Sequence, residues 1–143
     1  MNTVMRFNAA IDFLLQWEKP YVTVPEEKAY GLRKSFFPNV DLRGVSVYQA
    51  VEYYRAEYWM FLNADRMEWP LAAAFLDTCA LFGPSIATNF VKQSHGSYVA
   101  YLAYRLEYAA SRSDFQLIAD HVTRRTANFM LTFYPSSMTS EAK

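Results

Sequence analysis

Phe7-Asn8-Ala9-Ala10-Ile11-Asp12-Phe13-Leu14-Leu15-Gln16-Trp17-Glu18-Lys19-Pro20-Tyr21 (FNAAIDFLLQWEKPY) decides how this chain is read. Phe7, Ile11, Leu14 and Glu18 recur at helical spacing, and Ala10 and Leu15 widen the apolar face. Pro20 disfavours helical geometry in the residue before it, so this helix stops near Lys19 with a glutamate in its last turn. The residues after it, 20–31, hold Val22, Thr23, Val24 and two prolines, a loop with a short strand.

Further along, Tyr30-Gly31-Leu32 is expected to open a short helical segment ending by Pro38-Asn39. Ser46-Val47-Tyr48-Gln49 has capping-box form and predicts a helix to about Phe61. A strongly apolar helix runs from Trp69-Pro70 to Phe82, with Gly83 in a left-handed C-terminal position. Pro84 suits the first turn of a helix reaching Gln93. Two more helices follow, 97–111 and 114–133, the second opened by a capping box at Ser113-Asp114-Phe115-Gln116. The tail 135–143 is small and polar and is expected to fray. The fold class is therefore mainly α, one domain over 1–143, with its extended segment after the first helix.

A chain of 143 residues is long enough to bury a core, and 52% hydrophobic residues with 20% charged is a globular balance. Fourteen basic and fourteen acidic residues cancel, which leaves no global field for nucleic acid or an anionic membrane. The single cysteine, Cys79, lies in an apolar helix and reads as a packed core thiol. With His95 and His121 apart in sequence, no Cys/His metal site and no cofactor are expected, and either histidine reads as a surface or capping residue. The N-terminal helix is interrupted by Asn8, Asp12 and Gln16 and does not read as a signal peptide, so a soluble protein made in a cytoplasm is expected.

Glycoside hydrolysis needs an acid to protonate the leaving oxygen, usually with a second carboxylate. Glu18 beside Trp17 has the setting of such an acid, since an apolar neighbour favours the protonated form. Glu26 and Glu27 are the candidate partner carboxylates, returning across a hairpin. By spacing alone a solvated helix-end glutamate is the commoner outcome.

The ordered motifs add to this. FNAAIDFLLQWEKPY, Tyr30-Gly31-Leu32, Phe37-Pro38-Asn39-Val40-Asp41-Leu42, Tyr54-Arg55-Ala56-Glu57-Tyr58-Trp59, Ala74-Phe75-Leu76-Asp77 and Gly83-Pro84 together resemble glycoside hydrolase family 108. These are the N-acetylmuramidases of phage endolysins and prophages, with a lysozyme-like fold. The resemblance covers 7 to about 93, within a core of 1–95, and is looser over the helices of 96–143. It implies Glu18 as the family's catalytic glutamate and Val22-Thr23-Val24-Pro25 in place of a Val-Asn-Asp-Pro type of run.

The departures fall on polar positions. The family's Glu-Gly-Gly-Tyr stands here as Glu18-Lys19-Pro20-Tyr21, and its Asp-x-Gly-Gly-x-Thr loop is about four residues short. Glu26 or Glu27 replaces the aspartate, but nothing replaces the threonine, and Leu81 stands where the family has asparagine. Losing positioning groups costs orders of magnitude in rate. Two functions follow. One is a catalytically degenerate muramidase-family domain serving as a phage tail, baseplate or ejection component, with other phage proteins or itself as partner. The other is an active muramidase cutting peptidoglycan with Glu18 as acid.

Eleven tyrosines include Tyr98, Tyr101, Tyr104 and Tyr108 on one broad helical face, either packed half-buried or forming a protein interface with Arg105 beside them. Tyr21, Trp17 and Trp69 are candidates for sugar stacking. Asp77, alone in an apolar helix, needs a partner if buried, and Arg55 is the expected one. Arg33-Lys34 and Arg124-Arg125 read as solvated faces.

Overall fold

The computed structural model describes residues 1–24 and 26–142, and for 134–142 the helical backbone alone. Pro25 of the 22–25 run, Lys143 and the side chains of the polar tail thus lie outside the described residues.

The fold is mainly helical. Helix α1 is Thr3–Trp17, opened by Asn2, whose side chain accepts from the Met5 amide at 2.9 Å. A two-stranded antiparallel hairpin follows, β1 (Lys28–Ala29) and β2 (Leu32–Arg33), turned through Tyr30 and Gly31 at positive φ. Helix α2 (Val47–Tyr53) starts on the Ser46–Gln49 capping box, with both reciprocal bonds formed. The remaining helices are α3 (Leu71–Phe82), α4 (Pro84–Ser94), α5 (Tyr98–Ser111) and α6 (Phe115–Ala142).

Helix α2 leads into a π-helical stretch, Tyr54–Met60, so this helical run ends close to Phe61, as expected. Three local expectations are corrected. Lys28–Ala29 forms the short strand expected after the first helix, but Tyr30 to Arg33 completes a hairpin where a helical segment was expected to begin, because Tyr30 and Gly31 take left-handed φ values of 53° and 82° that no helix continues. Gly83 has φ 92° and ψ 164°, extended rather than left-handed helical, and a side chain there would strike the Phe36 ring. Helix α6 begins at Phe115, since the Asp114 carboxylate is taken by Arg112 at 2.7 and 2.9 Å and Ser113 makes no cap. Its helical backbone extends past 133 to Ala142.

Helix α3 is apolar on every side and is accordingly buried almost along its full length. It packs against α1, α4 and α5 and so forms the axis of the core. Phe7, Phe13 and Leu14 of α1 and Phe129 and Phe133 of α6 complete the main cluster, with Phe13 and Phe129 edge to face at 5.2 Å. Cys79 is buried in it as expected, its thiol pushed up by burial and then by Asp77. The motif Tyr54-Arg55-Ala56-Glu57-Tyr58-Trp59 supplies three more core rings: Tyr54, Tyr58 and Trp59 are all buried.

Candidate functional site: a buried carboxylate at the cleft

Where α1 ends, Glu18 leaves helical geometry (φ −104°, ψ 143°) while its amide still donates to Leu14. The chain then turns, and the Lys19 carbonyl accepts from the Tyr30 amide at 2.7 Å, which ties the helix end to the hairpin. Gly31 lies directly on Glu18: a Cβ there would stand 2.9 Å from Glu18 Cγ and 2.3 Å from the Tyr54 hydroxyl. That hydroxyl donates to the Tyr30 carbonyl at 2.7 Å. Burial raises the Tyr54 phenol well above its ordinary value, and the Glu18 carboxylate raises it further. The tyrosine-rich motif and the Tyr-Gly-Leu turn therefore meet at the carboxylate.

Glu18 has little contact with solvent, its side chain being 3% exposed, yet it lines a cavity of about 410 Å³. Both oxygens are engaged. Arg125 Nη1 donates to Oε2 at 2.5 Å, and Lys28 Nζ stands 3.2 Å from Oε1. Arg125 is itself fully buried and grips Asp77 through Nε and Nη2, the latter at 2.7 Å from Oδ1. Asp77 Oδ2 also accepts from Arg105 Nη1 at 2.7 Å. The rest of the Arg105 fork reaches the Thr126 and Thr78 hydroxyls. Two carboxylates and two guanidiniums thus form one buried network at the junction of α1, α3, α5 and α6, with Lys28 at its edge.

The electrostatics follow from that packing. Burial pushes the Asp77 carboxyl up, but Arg125 and Arg105 more than reverse it and hold it below the usual range. Burial lowers the Arg125 guanidinium, and Asp77 and Glu18 outweigh burial and raise it. His121 lies in the cavity wall with Nε2 3.2 Å from Arg125 Nη1. A guanidinium only donates, so Nε2 accepts and the imidazole is neutral with its proton on Nδ1. Burial and then Arg125 hold His121 below its ordinary value. The Trp17 ring meets His121 edge to face at 5.6 Å, and its indole N–H donates to Asn128.

The structure separates the residues expected from sequence. Trp17, Glu18 and Glu26 line the cavity together, while Glu27, Tyr21 and Trp69 do not. Glu26 is bound to Arg33 at 2.6 Å, and Trp69 packs between Phe133 and Arg6 elsewhere in the fold. Thr23 lines the cavity as well, its hydroxyl donating to the Lys28 carbonyl at 3.4 Å. Leu81 lines it from α3.

Tyr101 is fully buried and donates to the Ala87 carbonyl at 3.0 Å, which removes it from any interface. Tyr98, Tyr104 and Tyr108 are half-buried against the core.

Two corrections concern cations. Asp77 does not meet Arg55, which pairs with Glu52 and lies over the Phe7 ring at 4.4 Å. Its partners are Arg105 and Arg125, and Arg125 is no part of a solvated face. A signal was available in each helix. Arg105 falls in step with Tyr101, Leu102 and Ala109, and Arg125 with Val122 and Phe129, so both arginines sit on apolar stripes.

Among the described residues no three His, Cys, Asp or Glu side chains converge on a metal position, and no helix is long and apolar enough to cross a membrane. No family model matches the chain, and no curated protein or solved structure matches it.

Proposed function

We propose that this chain is a catalytically inert, lysozyme-like domain related to the muramidases, in which the acid has been absorbed into the fold. One observation carries this reading: both oxygens of Glu18 are bound to cations, Arg125 and Lys28, with Arg125 anchored in turn on Asp77. A general acid must place its proton on an oxygen that faces the leaving group. Here a proton on either oxygen breaks an existing ion pair. The role is then structural or binding, of the kind that a phage tail, baseplate or ejection component performs.

The rival reading, an active N-acetylmuramidase, is favoured by one fact: Glu18, Glu26 and Trp17 line a single cavity. It requires Glu26 to leave Arg33 and Glu18 to leave Arg125.

The test is digestion of purified, outer-membrane-stripped peptidoglycan, with released muropeptides identified by mass spectrometry. Folded protein is expected to release none. Release of muropeptides that disappears in Glu18→Gln would overturn the inert reading.

A further inference from the structure

An inert cleft still offers a definite chemistry, and the inference that follows rests on the inert reading. The wall of the cavity has two characters. Leu81, Phe82, Leu117, Ile118 and Val122 form an aliphatic and aromatic side. Leu117 is 87% exposed there, an apolar side chain held out at the rim with nothing over it among the described residues.

The other side is rich in donors and poor in acceptors. Each of its three carboxylates is already bound: Glu18 to Lys28 and Arg125, Glu26 to Arg33, Asp114 to Arg112. The cations are less fully used. Lys19 is exposed, and its ammonium has no partner among the described residues. Lys28 has three donors and one carboxylate contact. Arg33 Nε is buried with no acceptor at all.

A glycan is a poor match for that surface, because its hydroxyls are held by free carboxylates and carboxamides. Among the described residues no asparagine or glutamine lines the cavity, and every carboxylate there is taken. An apolar group carrying one negative charge is the better match. A volume of about 410 Å³ holds one or two residues of a peptide, and the polar side leaves no closed apolar tunnel for a long acyl chain.

We propose that the cavity receives the C-terminus of a partner protein, with its carboxylate against Lys19 and Lys28 and an aliphatic last side chain against Leu117 and Ile118. The mode is capture of a terminal carboxylate beside an apolar seat. Charge complementarity sets the orientation: the carboxylate meets Lys19 and Lys28, two ammonium groups of the cleft that lack a full set of acceptors among the described residues.

The experiment is a titration of the full ¹⁵N-labelled chain with N-acetyl-alanyl-leucine, with the same dipeptide as its C-terminal amide, and with chitotetraose. Lys19→Gln and Leu117→Ser change exposed side chains, and their fold is checked by circular dichroism. The free acid is expected to shift amides around Glu18, Lys28 and 117–122. The C-terminal amide and each variant should bind roughly three- to tenfold more weakly, the scale of one partly exposed charge or one apolar contact. Equal binding of acid and amide, shifts elsewhere, no binding of the acid, or a preference for chitotetraose would each overturn the proposal. Protein that cuts peptidoglycan contradicts the inert reading first. Protein that neither cuts nor binds the free acid contradicts this inference alone.

Discussion

Arg125 meets Glu18 across 107 positions of sequence and closes the end of α1 onto α6. The same guanidinium holds Asp77 in the middle of α3, so one side chain ties three helices at the cleft. The members of this cluster differ sharply in what their loss should do.

Removing either buried arginine leaves Asp77 with one guanidinium in place of two. Arg105→Ala and Arg125→Ala should each lower the unfolding free energy by about 3–5 kcal/mol, measured by denaturant titration. Arg55→Ala should cost only about 0.5–1 kcal/mol, the worth of an accessible cation over an aromatic ring. The reverse ranking would restore Arg55 as the partner of Asp77.

That contrast marks where sequence reading stopped. Period and caps were enough for the helices: the α1 stripe, the Ser46–Gln49 box and the run from Leu71 to Phe82 all act locally. Of the site residues expected from sequence, Glu18, Trp17 and Glu26 share one cavity, whereas Glu27, Tyr21 and Trp69 do not line it. A short strand after α1 was expected, but the turn that pairs it with Leu32–Arg33 escaped because it depends on Tyr30 at positive φ, which that residue type rarely adopts. The partners of Asp77 escaped because choosing among fourteen cations is a matter of helix packing, which no local pattern encodes. Arg105 and Arg125 were nevertheless marked by lying on apolar stripes, a sign that a cation is buried and therefore paired.

Acid should unfold the protein in two steps. Asp77 titrates below its ordinary value in the fold, so its contribution is complete above about pH 4 and is lost as pH falls through the folded value. His121 is also depressed in the fold, so its contribution is complete above about pH 6.5 and declines as pH falls below that. Denaturation midpoints measured against pH should be level near neutrality, drop from about pH 6.5, and drop again below about pH 4. His121→Gln should abolish the upper step and leave the lower. An unchanged upper step in that variant would remove His121 from the cause.

The turn under Glu18 should tolerate no side chain. Gly31 has φ 82° and an added Cβ would lie 2.3 Å from the Tyr54 hydroxyl. Gly31→Ala is expected to cost at least about 2 kcal/mol, from backbone strain together with displacement of Tyr54. A loss below about 0.5 kcal/mol would show that the hairpin does not press on the carboxylate.

The most direct measurement on the central claim is the unfolding free energy of Glu18→Gln against the wild type. A carboxylate kept for the fold loses a charge-assisted bond to Arg125 or Lys28 on becoming an amide, and the variant should be less stable by about 1–3 kcal/mol. A carboxylate kept for a reaction is commonly held at a cost to stability, and its replacement leaves the protein equally or more stable. A less stable Glu18→Gln is the expected result; an equally or more stable one would contradict a structural role for Glu18.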